Sequence, residues 1–335
     1  MKWSGTYLQL GMFALLTLVA HPASANERST IACPSFGWTT LGTAGGPVPT
    51  ADRAEPSNLL KVGDRLILVD AGDGTVNQLA RLGVSLGVVD SVFISHHHHD
   101  HTGGLAAVIG LRWMNSYAGR LTVYGPPGTA EIVRGIIASL QPQARIGFGV
   151  GAEIVPPEAT VRVVELADGE TVTSGNLRVT AAANTHFDHA GQPDAHALSF
   201  SYRFDYGSRS ITYSGDTGPS QALARLAAGS DLLVTEIMEL DGLIAAVQRQ
   251  RPDMPPVLRS QIEQHLREHH LTAEAVGELA RDAHVSQILL THYSISPSPL
   301  AASADALMEG IRHNYSGSVQ FGIDLGSINV GCGGM

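Results

Sequence analysis

The sequence predicts an α/β fold in which two sheets pack face to face and carry helices on their outer sides. Three observations predict it. Short β-branched and aromatic segments alternate with amphipathic helical segments through both halves of the chain. No Pro/Ser-rich linker separates the halves, so the 335 residues read as one folded domain rather than two. Polar residues able to do chemistry recur just after strands in both halves, where α/β sheets place their sites.

Residues 1–25 read as a leader outside that fold. Lys2 supplies a positive charge, Leu8 to Ala20 is an apolar run, and Ala23-Ser24-Ala25 offers a cleavage site with Asn26 as the mature start. The run is short for a membrane span. The expected product is therefore periplasmic or secreted, without a stable membrane anchor, with residues 26–335 as the folded part. Its two cysteines, Cys33 and Cys332, fit equally a bridge between the termini and a pair of buried thiols. Formal net charge is −10 and no Lys/Arg cluster occurs. That balance argues for a small-molecule substrate and against a nucleic-acid partner, whose affinity rests on phosphate neutralisation.

The elements follow in order. Ser35 to Asp64 reads as a strand and a long irregular loop rich in Gly, Pro and Thr. Leu66 to Asp70 is a strand; a short helix through Gln78 to Leu82 stops at Gly83. Ser91 to Ile94 is a buried strand, Leu121 to Tyr124 another, and Thr129 to Leu140 an amphipathic helix. Val161 to Val164, Leu177 to Ala182, Leu198 to Phe204, Ser210 to Tyr213 and Leu232 to Glu236 are strands, with a helix from Ser220 to Ala228. Residues 241–268 look helical but polar and are broken by Pro252, Pro255 and Pro256, as in an insertion, a substrate lid or a homodimer contact. The helix Thr272 to Ala283, the strand Gln287 to Thr291, the helix Leu300 to Asn314 and the strand Val319 to Asp324 close the chain.

The chemistry centres on Ser95-His96-His97-His98-His99-Asp100-His101-Thr102-Gly103-Gly104, directly after the buried strand. His96, His98, Asp100 and His101 form H-x-H-x-D-H, and imidazole nitrogen with carboxylate oxygen suits borderline divalent metals. Four donors within six residues crowd a single ion, so the spacing points to two metals rather than to a solvated histidine tract. Two metals need further donors. His186, Asp216 and His292 each lie near a strand end, although Asp216 could equally cap a helix and the two histidines could be ordinary loop residues.

With these residues in view, the chain resembles the metallo-β-lactamase-fold hydrolases over nearly all of its mature length. It resembles most the ribonuclease Z-like branch that includes zinc-dependent arylsulfatases. Leu41-Gly42-Thr43 with Gly46-Pro47, Asp70-Ala71-Gly72-Asp73-Gly74-Thr75, Tyr124-Gly125-Pro126, Ser214-Gly215-Asp216-Thr217 and Leu290-Thr291-His292-Tyr293-Ser294 carry the resemblance. It implies a four-layer αββα sandwich. It implies one metal on His96, His98 and His186, a second on Asp100, His101 and His292, and Asp216 bridging them. Glu236 and His270 resemble the branch's Glu-and-His pair beside the metals, with His269 as the alternative histidine. Around His186 the match is looser, and His189 or His196 could take its place.

The resulting expectation is an exported hydrolase with two divalent metal ions, zinc first, manganese and iron suiting the same donors. A metal-activated hydroxide would cleave sulfate or phosphate esters, Asp100 orienting it and His270 assisting the leaving group. A lactonase or carboxylic-ester hydrolase is the alternative, and a metal-binding protein without turnover the third reading. Asp216 argues against β-lactamase activity, because true β-lactamases of this fold lack the bridging aspartate or replace it with cysteine. The span of about thirty residues from His186 to Asp216 is short for the arm with which ribonuclease Z enzymes clasp transfer RNA.

Overall fold

The first sheet is built largely from the N-terminal half and the second from the C-terminal half. The structure, a computed structural model, describes residues 34–147, 155–188, 197–295 and 300–331. The leader at 1–25, Cys33, Cys332, His189 and His196 lie outside the described residues. Six strands of the first sheet come early: β1 (Phe36–Gly42), β2 (Ser57–Val62), β3 (Arg65–Ala71), β4 (Val89–Phe93), β5 (Leu121–Gly125) and β6 (Val161–Glu165). The second sheet holds β7 (Thr171–Ser174), β8 (Leu177–Ala183), β9 (Phe200–Tyr206), β10 (Arg209–Tyr213), β11 (Leu232–Met238), β12 (Gln287–Ser294) and β13 (Ser318–Phe321). The last strand, β14 (Gly326–Asn329), returns to pair with β1. The sheet orders are β14-β1-β2-β3-β4-β5-β6 and β13-β12-β11-β10-β9-β8-β7. Each runs antiparallel at one end and parallel at the other, the change falling at β3/β4 and at β10/β11.

Helices α1 (Thr75–Arg81), α2 (His99–Thr102), α3 (Leu105–Met114) and α4 (Thr129–Ile146) go with the first sheet. Helices α5 (Gln221–Leu226), α6 (Leu240–Gln250), α7 (Pro256–His269), α8 (Ala273–Asp282) and α9 (Leu300–Arg312) go with the second. Three cores separate these layers. Trp38, Leu60 and Phe93 meet Tyr202, Phe204 and Tyr213 between the sheets. Leu79, Val108, Trp113 and Val133 pack helices on the first sheet, and Leu223, Val276, Leu279 and Leu307 do so on the second. Each fully buried side chain of this size contributes about 1.5–3 kcal/mol through apolar area removed from water. The αββα sandwich expected from the sequence is the fold observed.

Differences from the expected elements have physical causes. Strand β2 replaces the end of the long loop. Hydrogen-bonded on both edges by β1 and β3, it is buried almost throughout and shows no alternation that would betray it. Helix α3 was not expected because LAAVIGLRWM is apolar nearly all round. Helix α4 runs on through Pro142 to Ile146, since Leu140 and Ala144 still face the sheet and the proline removes only one donor. Residues 241–268 are the hairpin α6–α7, broken where the prolines require it, with Pro256 at the first position of α7.

Two local irregularities aim side chains at the site. In the β2–β3 register Ser57 opposes Ala71 and Asn58 opposes Val69, so Asp70 bulges out, with φ of 58°. In the β11–β12 register Glu236 opposes Thr291 and Ile237 opposes Tyr293, so His292 bulges out, with φ of 45°. A bulged residue in the left-handed region is re-aimed away from the pleat, at a backbone cost that the surrounding packing sustains.

Candidate metal centre

The histidine loop leaves β4 at the edge where the two sheets meet, and the later candidates arrive from the second sheet. His96 Nε2 lies 3.0 Å from His98 Nδ1, and His186 Nε2 lies 3.2 Å from the same nitrogen. Imidazole nitrogens this close converge as ligands of one ion do, since zinc–nitrogen bonds of about 2.0–2.1 Å place neighbouring donors slightly over 3 Å apart. A second group joins Asp100, His101, Asp216 and His292. Asp216 Oδ1 is 3.3 Å from His101 Nε2, Asp216 Oδ2 is 3.1 Å from His292 Nε2, and Asp100 Oδ2 is 3.5 Å from both imidazoles. Asp216 also groups with His186 and His270 and lies 4.0 Å from His96 Nε2, which places it between the two sets.

The residues fit a divalent cation, and orphaned buried atoms are the test. Among the described residues, His101 Nε2, Asp216 Oδ1 and both ring nitrogens of His292 are buried without a hydrogen-bond partner. Such atoms are costly unless a ligand satisfies them. The electrostatics show that the second group is strongly anionic, which is what draws a cation, whether a proton or a metal ion. Burial works against protonation of His292, yet Asp216 and Asp100 push its pKa up to about 10. Asp216 is held well below the ordinary carboxylate range: burial opposes this, and His292 and His101 outweigh it. Burial takes His186 down to about 3, keeping it neutral as a ligand must be.

Supporting contacts set which nitrogen three of the imidazoles present. His101 Nδ1–H donates to Asp70 Oδ2 at 2.8 Å, His96 Nδ1–H to Ser95 Oγ at 3.1 Å, and His186 Nδ1–H to the His269 carbonyl at 3.0 Å. Each therefore turns Nε2 to the site. Asp70, fully buried, also accepts from the Ser95 amide at 2.7 Å and from the Ser95 and Tyr213 hydroxyls at 2.8 Å. Its place in the site is not readable from sequence; an aspartate closing a strand before Ala-Gly is the one hint. Asp70→Ala is expected to weaken metal binding about 10–100-fold, measured by competition with a chromophoric chelator. Unchanged affinity would show that His101 orients itself.

The helix-cap reading of Asp216 does not hold, because Ser220 caps α5 by accepting from the Leu223 amide. His97 donates through Nε2 to Thr129 Oγ1 at 2.9 Å, away from the ligands, and His99 is exposed. Between the two candidate histidines, His270 rather than His269 meets Glu236: its Nδ1–H donates to Glu236 Oε2 at 2.8 Å. His269 turns instead to His265 and to the Asp188 carbonyl. Buried Glu236 also accepts from the Thr217 amide at 2.6 Å, tying the pair to the turn that carries Asp216. Burial disfavours charged His270, Glu236 more than offsets it, and its proton affinity ends raised.

The fold and these residues define a metallohydrolase, and the chain belongs to the ribonuclease Z-like branch of the metallo-β-lactamase superfamily. The Beta-lactamase superfamily domain profile matches residues 65–293. Ribonuclease Z of Mycobacterium avium (strain 104) is 30% identical over 295 residues, covering 87% of this chain and 97% of its own. The metallo-beta-lactamase fold protein YhfI from Bacillus subtilis superposes with a TM-score of 0.64 at 19% identity, covering 89% of this chain and 100% of that one. The short form of human tRNase Z does so at 0.58 and 19%, covering 87% and 98%. The chain is a metal-dependent hydrolase of ester bonds.

One expectation is overturned. Acidic net charge argues against a nucleic-acid partner, yet the relatives matched over most of this chain are named ribonuclease Z. Net charge is a property of the whole surface, whereas a metallohydrolase engages a phosphate through cations and a few local donors, so −10 overall excludes no such partner.

Proposed function

We propose that this chain is a phosphodiesterase with two divalent ions, zinc first, and that an RNA phosphodiester is the substrate class to test first. The observation that carries it is the His270–Glu236 pair at 2.8 Å, set beside the group His186, Asp216 and His270. His96, His98 and His186 would hold one ion, and Asp100, His101 and His292 the other, with Asp216 shared. A bound pair supplies Lewis-acid polarisation of a phosphoryl oxygen and water acidified to a pKa of about 7. The protein's own part is proton handling. Asp100, an acceptor, orients the nucleophile. Protonated His270 donates to the leaving alkoxide, whose expulsion is slow without an acid. RNA phosphodiesters have such leaving groups and activated aryl sulfates do not, so the pair favours the former; a lactone's ring alkoxide would use the same acid, and the relatives' names favour the phosphodiester over it. The names of the relatives support the same class and RNA as its member. Export through residues 1–25 is part of the proposal, and N-terminal sequencing of the secreted or periplasmic product should begin at Asn26.

The experiment is a rate comparison on the zinc-loaded protein with an RNA carrying a 3′ extension, bis-nitrophenyl phosphate, nitrophenyl sulfate and a homoserine lactone. Phosphodiester cleavage well ahead of the others is expected. Turnover confined to the sulfate or the lactone would transfer the assignment to that ester.

A further inference from the structure

The long loop between β1 and β2 carries an acidic side chain at the metal centre that no metal-binding motif includes. Glu55 is 9% exposed, and its Oε2 is buried without a hydrogen-bond partner among the described residues. Its place is fixed by glycines: a Cβ at Gly72 would collide with both the Asp100 carbonyl and the Glu55 Cβ, and one at Gly42 with the Glu55 carbonyl. Glu55 therefore sits against the segment that presents Asp100. Beyond burial, which raises its pKa, the charges that act on its carboxyl are Asp100, then His292 and His101, and then Asp73. Three of these four belong to the second ligand group. Apart from the two imidazoles of that group, no cation pairs with it among the described residues: Arg53, two residues earlier, lies over the Tyr293 ring at 5.9 Å.

The Glu55 carboxyl stands outside the mutually close donors Asp100, His101, Asp216 and His292, so it bears on them from behind, and a buried carboxyl with an orphaned oxygen is costly when charged unless a cation lies near. We propose that Glu55 is a further acidic group of the second metal site, strengthening that site and biasing it toward hard, oxygen-preferring divalent ions such as Mn²⁺. The two sites then differ in kind. The first offers three imidazoles, which suit zinc. The second offers two imidazoles, Asp100 and Asp216 with Glu55 behind them, and carboxylate-rich sites suit Mn²⁺. This inference rests on the two-ion reading above and not on the substrate assigned there.

Metal titration calorimetry of the full chain tests it without turnover. Metal-free protein carrying His98→Ala, which takes a ligand from the first site, reports on the second. There Glu55→Gln should weaken Mn²⁺ on the order of tenfold, from the loss of one nearby charge, and Zn²⁺ less. In a His292→Ala background, which reports on the first site, the same change should do nothing. Glu55→Ala should act in the same direction, and Asp73→Asn, exposed and the weakest of the four charges, should change Mn²⁺ affinity far less than Glu55→Gln. Melting gives the second readout: removing the repulsion with Asp100 should raise the melting temperature of metal-free protein and reduce the gain on adding Mn²⁺. Unchanged Mn²⁺ affinity, or a lowered melting temperature with affinity intact, would make Glu55 a structural residue and overturn the proposal. A single ion bound by the wild type would remove the second site and the proposal together, whereas failure on phosphodiesters alone would leave it standing.

Discussion

Asp216→Ala should cost this protein about 10³-fold or more in kcat/KM, together with bound metal. The magnitude follows from position. Asp216 is 2% exposed and lies within 3.3 Å of His101, within 3.1 Å of His292 and 4.0 Å from His96. On the proposed two-ion reading its carboxylate would be the anionic donor shared by both sets, and losing several kcal/mol of charge stabilisation in the transition state amounts to about three decades in rate. Metal content measured on the desalted variant should fall below that of the wild type. Asp216→Asn keeps one oxygen donor and the shape of the turn, so it should fold alike and still lose charge-dependent binding. A variant with full metal content and near wild-type turnover would mean that Asp216 is a strand-end carboxylate and the ions are held without it.

Asp216 was legible because three signals coincide in sequence: a β-branched strand, a Gly-Asp-Thr turn, and an order of later donors that completes the H-x-H-x-D-H loop. The strands that carry the site are legible for the same reason, each being a short apolar run that ends in polar residues. What sequence does not show is how Asp70 and His292 reach their places. Both depend on a one-residue slip in register against a neighbouring strand, and the slip belongs to the pairing rather than to either strand alone. The choice between His269 and His270 was equally closed to inspection, because they are adjacent at the end of a helix. Only the packing of α7 against the Asp216 turn turns one toward Glu236 and the other toward His265. Glu55 escaped notice because it lies in an irregular loop, where neither period nor spacing marks a buried residue.

His270→Ala should lower kcat on a phosphodiester with an alkoxide leaving group by about 10²–10⁴-fold, the range of a lost general acid. Metal content should stay unchanged. The same variant should lose far less on bis-nitrophenyl phosphate, whose nitrophenolate departs without a proton. That contrast separates an acid from a residue that merely shapes the pocket. Glu236→Gln probes the proton itself. Glu236 Oε1 can still accept from the Thr217 amide, so the turn is preserved, while the charge that holds the proton on His270 is gone. Burial alone lowers the proton affinity of His270 and Glu236 raises it above the ordinary imidazole value. In the wild type the donor form consequently persists to higher pH, and activity declines as pH rises through the raised pKa. In Glu236→Gln the alkaline limb of kcat should move to lower pH. A neighbouring cation lowers both limbs, but it does not reverse their order, since the carboxylate-to-amide change removes the same attraction in each case. An alkaline limb that stays in place, or equal losses on the two leaving groups, would take the acid role away from His270 and leave the pair as a clamp on the Asp216 turn.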